Sequence, residues 1–125
     1  YTTDSFTLET IPMRHNPESI ACRLTIPSGK SVVYSGDTDF NENLIALSKD
    51  ADLLICESAL PDDLKISGHL TPSGAGRIAT AANVKKLILT HLYPECDQVD
   101  IENECRKTYA GSLTMAHDLL TLEID

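Results

Sequence analysis

The chain has 125 residues, 42% apolar and 23% charged, with a formal net charge of −9 at pH 7. That length suits one domain, residues 1–125, with a core of its own, and the ordinary composition excludes a collagenous, low-complexity or disordered chain. The acidic balance argues against non-specific nucleic-acid binding by this segment alone, and the apolar runs fall far short of the ~20 residues of a membrane span.

Residues 6–13 alternate through Phe6, Leu8, Thr10 and Pro12 and predict a strand leading to His15. Residues 20–26 alternate through Ile20, Cys22, Leu24 and Ile26, and Pro27-Ser28-Gly29-Lys30 marks a tight turn. Residues 31–34 predict a short buried strand that stops at Ser35-Gly36-Asp37. Residues 41–49 predict a helix with Leu44, Ile45 and Leu47 toward the core and Asp39 as a candidate cap. The apolar run 51–56 predicts a strand ending at Glu57, and residues 61–67 a loop or one helical turn. Thr71 as N-cap and Pro72 at the first helical position open a helix through Ala75, Ile78, Ala79 and Ala82. Residues 86–90 form another buried strand, delivering His91, and residues 99–109 an amphipathic helix ended near Gly111. Residues 113–115 and 119–124 predict a terminal hairpin around Ala116-His117-Asp118. The order predicts an α/β fold: a mixed β-sheet with helices packed on one face.

Three potential metal ligands, His15, Asp37 and His91, each sit where a strand-like run gives way to polar or turn residues. An α/β fold presents functional side chains at such ends. Histidine nitrogen and carboxylate oxygen suit zinc and similar divalent ions. A short carboxylate directly after a strand suits a bridge between two ions, with a histidine as terminal ligand on each. Taken singly, a strand-end Asp is more often a turn residue and a lone His more often structural, so only the set carries weight. An aspartyl nucleophile of a phosphatase is the weaker enzymatic alternative, because Ser35-Gly36 interrupts the apolar strand that such chemistry wants. A phospho-acceptor domain would need an acidic pair after its first strand and a late strand-end Lys, and neither is evident. The four cysteines, at 22, 56, 96 and 105, form no CxxC pair and read as reduced thiols, as in a cytoplasmic protein. His117 reads as structural or exposed.

The motifs His15-Asn16-Pro17-Glu18-Ser19, Val33-Tyr34-Ser35-Gly36-Asp37-Thr38, Leu54-Ile55-Cys56-Glu57-Ser58-Ala59, Gly68-His69-Leu70-Thr71-Pro72 and Leu87-Ile88-Leu89-Thr90-His91-Leu92-Tyr93 follow one another in that order. Together they resemble the C-terminal half of the αββα metallo-β-lactamase fold, in a branch similar to ribonuclease Z, from about residue 11 to the C-terminus. The resemblance implies His15, Asp37 and His91 as metal ligands, with Asp37 bridging. It also implies His69 as the catalytic residue that stabilises the reacting group or gives a proton to it, and Glu57 as the residue that orients His69. Cys56 stands where ribonuclease Z usually carries His, and Leu92-Tyr93-Pro94-Glu95 replaces the aromatic or basic residues usual there. These departures shift the expectation from tRNA processing toward a generic hydrolase.

The family's His-x-His-x-Asp-His signature has no counterpart among the histidines at 15, 69, 91 and 117. The chain therefore reads as the C-terminal half of a longer metal-dependent hydrolase whose N-terminal half carries the remaining ligands. Two divalent ions, zinc or else manganese or iron, are expected in the intact protein. Its expected substrate is a phosphodiester or ester, in a small molecule or a nucleic acid. The chain alone is expected to bind metal poorly and to be inactive. Its apolar sheet face is expected to pair with the missing half or with a second copy. A non-catalytic binding or regulatory module that keeps the fold without metals is the alternative.

Overall fold

The computed structural model describes residues 1–124. Six strands form one sheet in sequence order: β1 (Thr7–Pro12), β2 (Ile20–Thr25), β3 (Ser31–Tyr34), β4 (Leu53–Glu57), β5 (Lys86–Thr90) and β6 (Ser112–Met115). The first two pairings are antiparallel and the last three parallel. Strand β1 thus runs in the same direction as β3, β4 and β5, and the turn after it reaches the same edge as their C-terminal ends. Three helices connect or flank the parallel strands: α1 (Glu42–Leu47), α2 (Pro72–Ala81) and α3 (Ile101–Arg106).

Period-two alternation sorts the strands into two faces. Val33, Leu54, Leu87 and Leu113 stand in one row across the sheet. With Ala21, Cys56 and Leu89 they join Leu44 of α1 and Ala75, Ile78 and Ala79 of α2 in a single core. Leu44, Leu54, Ile78, Leu87 and Leu89 are fully buried, and each such side chain contributes roughly 1.5–3 kcal/mol. Arg23 of β2 reaches round to donate to the Leu47 and Lys49 carbonyls, at 2.9 and 2.8 Å. It thereby supplies the positive charge that the C-terminus of α1 lacks in its own sequence.

The opposite face is unevenly covered. Leu53, Ile55 and Ile88 face Ala116, His117, Leu120 and Leu122 of the C-terminal segment across a groove of about 340 Å³. Farther along, Ile20, Leu24 and Tyr34 share that face and stay 51%, 37% and 46% exposed.

Three expectations are corrected. Asp39 does not cap α1; Asn41 does, its Oδ1 accepting from Asn43 N–H at 2.8 Å, because the Asp39 carboxylate is occupied by Gly68 and Lys65. No terminal hairpin forms. Strand β6 adds in parallel to β5, and residues 119–124 are not a strand. Leu119 has φ 64°, and Leu120 N–H closes a turn onto the His117 carbonyl, so the extended run is broken at its start. The predicted helix over 99–109 is shorter, at Ile101–Arg106, where Asp100 caps the Asn103 N–H. All four cysteines are free. No helix among the described residues is long and apolar enough to cross a membrane.

Candidate metal centre

The site forms along the edge where β1, β3, β4 and β5 end, the place where an α/β sheet offers its loops to a ligand. After β1, the Asn16 side chain accepts from Glu18 N–H and Ser19 Oγ–H, at 3.1 and 2.7 Å, folding the turn that carries His15. After β3, Gly36 turns the chain with φ +58°, and any Cβ there would collide with the Ile20 carbonyl oxygen. Only glycine permits this approach, which presents Asp37 beside the β1–β2 connection. After β5, His91 itself takes the left-handed conformation at φ 58°. Such strain in a non-glycine residue is sustained only where surrounding structure fixes it.

The three residues converge. One Asp37 oxygen, Oδ2, lies 4.0 Å from His15 Nε2 and 3.7 Å from His91 Nε2. The His69 ring stands 4.7 Å from that of His15 and 5.5 Å from that of His91. Asp37, His69 and His91 each offer a donor atom, all within 4.8 Å of one another. Two donors each ~2.0–2.2 Å from one ion stand at most ~4.4 Å apart; the 4.0 and 3.7 Å separations at Asp37 meet that limit, and the donor chemistry suits a divalent metal. The Asp37, His15 and His91 side chains are about one-third exposed, leaving the cluster open to solvent.

Behind this open layer lies a closed one. The Glu57 side chain is 1% exposed and its carboxylate is fully engaged. Oε1 accepts from Thr38 N–H at 3.0 Å and from His69 Nδ1–H at 2.8 Å; Oε2 accepts from Ala59 N–H at 3.1 Å and Leu70 N–H at 3.0 Å. Glu57 therefore ties the Asp37 loop to the His69 loop and leaves His69 Nε2 as that ring's free nitrogen. Burial, reinforced by the neighbouring Glu57, pushes the Cys56 thiol far up, which leaves it a core residue rather than a ligand or nucleophile. Asp39 lies on the open side. Burial acts to raise its pKa, but the Gly68 N–H, the Lys65 ammonium and the Phe40 N–H outweigh burial and hold it below the usual carboxylate range.

All five residues singled out in the sequence, His15, Asp37, Glu57, His69 and His91, thus meet at one edge. Two neighbours had been given no role at the site. Tyr93 packs its ring 5.2 Å from His91, edge-on, and 5.9 Å from His69; its only sequence signal was an aromatic two places after a strand-end histidine. Asp39, two residues beyond Asp37, was read as a cap. His117 lines a cavity of about 270 Å³ together with Thr90 and His91, its Nδ1–H donating to the Asp118 carbonyl at 3.0 Å.

The sheet order and this cluster define a metallo-β-lactamase-type domain. A model of the beta-lactamase superfamily domain matches residues 2–92, and the chain belongs to that superfamily. Within it the chain is ribonuclease Z-like: ribonuclease Z 1 of Schizosaccharomyces pombe is 34% identical over 128 residues, covering 97% of this chain and 15% of that protein. An uncharacterised protein of Mycobacterium leprae is 38% identical over 99 residues, covering 78% of this chain and 35% of that protein. The crystal structure of the metallo-beta-lactamase fold protein YhfI from Bacillus subtilis superposes with TM-score 0.85 at 30% identity, over 93% of this chain and 49% of that one. The chain thus spans about a third of the mycobacterial relative and about half of YhfI. The fold implies divalent-metal binding, and Asp37, His69 and His91 form a group that could hold an ion.

Proposed function

We propose that this chain supplies one wall of a dinuclear, metal-dependent hydrolase that cleaves a phosphodiester or ester-type bond. The observation that carries this reading is the Asp37 carboxylate standing 4.0 and 3.7 Å from two histidines that approach from different loops. In this reading Asp37 would be shared between two ions, zinc, manganese or iron, and His15 and His91 would each hold one. When bound, such ions lower the pKa of a coordinated water and offset the charge of a developing oxyanion. His69, its Nδ1–H held by Glu57, would as an imidazolium carry a second proton at Nε2 for the departing oxygen. The open layer admits the substrate, and the buried layer keeps His69 in register. His/Asp ligation accommodates esters, lactones, thioesters and phosphodiesters alike, in small molecules or nucleic acids.

Three ligands do not complete two ions, since an open catalytic zinc alone takes about three protein ligands. The rest are proposed to come from another segment or chain, docked on the sheet face where Ile20, Leu24 and Tyr34 lie exposed. Turnover of bis-p-nitrophenyl phosphate by this chain, with zinc or manganese, tests the reading. No rate above that of the His15→Ala/Asp37→Ala/His91→Ala triple variant is expected from the chain alone; a rate above it would overturn the claim of an incomplete site. Absence of metal from the intact protein would instead favour a binding or regulatory module that keeps the fold without metals.

A second reading rests on the compact Asp37–His69–His91 group. With Nδ1 held by Glu57, His69 Nε2 is free to ligate, in a carboxylate–histidine–metal arrangement. His69→Ala separates the two roles: loss of metal affinity marks a ligand, retained affinity a proton donor.

A further inference from the structure

Gly68 is gripped from both sides. Its N–H donates to Asp39 Oδ2 at 2.9 Å, and its carbonyl accepts from His15 Nδ1 at 3.0 Å. A carbonyl has no proton to give, so the proton of that second bond must sit on Nδ1, which leaves Nε2 as the ring's free nitrogen. That is the atom facing Asp37. Gly68 has φ +89°, and a Cβ there would stand 3.2 Å from His15 Nδ1. The backbone at this point is therefore shaped for the imidazole that lies against it.

Asp39 is built in on its own side as well. Its N–H donates to the Arg14 carbonyl at 2.8 Å, beside His15, and Arg14 N–H donates to Thr38 Oγ1 at 3.1 Å. Its Oδ1 accepts from Phe40 N–H at 2.7 Å, and both oxygens meet Lys65 Nζ, at 3.0 and 3.1 Å. With both oxygens committed, Asp39 is no metal ligand, although it lines a cleft of about 290 Å³ with Arg14, His15, Ser67 and Gly68.

We propose that Asp39 is a positioning residue: by holding Gly68 it presents the carbonyl that fixes His15 in the Nδ1–H tautomer, with Nε2 turned toward Asp37. In a common metal-site arrangement a carboxylate or carbonyl orients a ligating histidine directly. Here a carbonyl does so, and a carboxylate holds the residue that bears it. The same short segment continues into His69 and Leu70, which Glu57 holds from the buried side. Residues 68–70 thus hang between two carboxylates. Asp39 sets the histidine on the open side and Glu57 the one behind it. The tautomer statement stands on the metal-free chain; its consequence for metal binding rests on the proposed function.

The test uses ¹⁵N-labelled chain, at a pH where His15 is neutral, with long-range ¹H–¹⁵N correlations to read the tautomer and hydrogen exchange to read the Gly68 amide. The wild type should show His15 protonated on Nδ1 and a protected Gly68 amide. An Nε2–H tautomer or an unprotected amide overturns the proposal without any variant. In Asp39→Ala the amide should lose protection and His15 should divide between tautomers. Asp39→Asn, which keeps an acceptor oxygen, should restore both. Native tautomer and protection in a folded Asp39→Ala chain would overturn the proposal. Zinc alone is then titrated. Asp39→Ala should weaken the His15 response by about tenfold or more while the His91 response persists, and an unchanged His15 response counts against the metal consequence. If the wild type shows no zinc response at either histidine, the proposed function fails, and the tautomer result still decides the role of Asp39.

Discussion

Strand β4 has a buried acid at each end, and their surroundings differ in kind. Asp52, just before the strand, accepts from Ser31 N–H and Lys85 Nζ, both at 2.8 Å, with Lys30 Nζ at 3.6 Å. Glu57, at its other end, meets no lysine or arginine among its hydrogen-bond partners; it holds three backbone N–H groups and a histidine. An acid matched by lysines is a structural neutralisation at the foot of the sheet. An acid that spends its oxygens on loop amides and one imidazole sets the geometry of a reactive edge. Burial does not separate the two, since both are nearly inaccessible. The partners do.

The comparison would break most sharply at Glu57. Glu57→Ala should orphan three amides and the His69 ring in a closed site, lowering stability by about 3–5 kcal/mol in urea denaturation. A loss under 1 kcal/mol would mean that the loops hold themselves. Gly36→Ala comes next. Left-handed strain adds about 1–3 kcal/mol, and the clash with the Ile20 carbonyl adds more or displaces Asp37; the chemical-shift response of His15 and His91 would register that displacement.

The foot of the sheet should respond to acid. The Lys85 ammonium and the Ser31 N–H, working against burial, hold Asp52 below the usual carboxylate range. A carboxyl whose folded pKa lies below its unfolded value stabilises the fold fully above that unfolded value, ~3.9. The contribution is lost as pH falls below it toward the folded value. Asp52→Asn should cost about 1–2 kcal/mol near pH 7, and it should flatten the stability profile below about pH 4. An acid limb unchanged by Asp52→Asn would assign acid sensitivity elsewhere. The smallest effect belongs to the open layer: His91→Ala should leave stability within about 0.5 kcal/mol, since its side chain is 35% exposed and alanine keeps the Cβ and so the same left-handed strain. A large loss of stability would recast His91 as structural.

Much of this was visible in the sequence because it rests on local rules. Alternation marked β1 and β2, short apolar runs marked β3, β4 and β5, and Thr71-Pro72 marked the start of α2, where Thr71 Oγ1 accepts from Gly74 N–H. The five site residues stood out because each ends a strand or opens a loop, and the ordered motifs tied them together. What escaped depends on distant partners. Asp39 sits where a cap belongs, and only the fold brings Gly68, 29 positions on, to its carboxylate. The hairpin expected at the C-terminus had the right apolar residues in 119–124. It did not form because β6 found β5 as its neighbour and Leu119 turned the chain away. An uncovered apolar face was expected, but not that Ile20, Leu24 and Tyr34 would form it, because the sequence does not say which face of a sheet lacks a cover.

The most direct test of the central claim is a zinc titration of the chain followed by histidine ¹H–¹⁵N resonances. The metal-wall account expects His15 and His91 to shift together, Asp37→Ala to weaken both responses about tenfold or more, and His117, which shares a cavity with His91, to respond less than either. Shifts at His117 alone, or responses at His15 and His91 that survive Asp37→Ala undiminished, would contradict it.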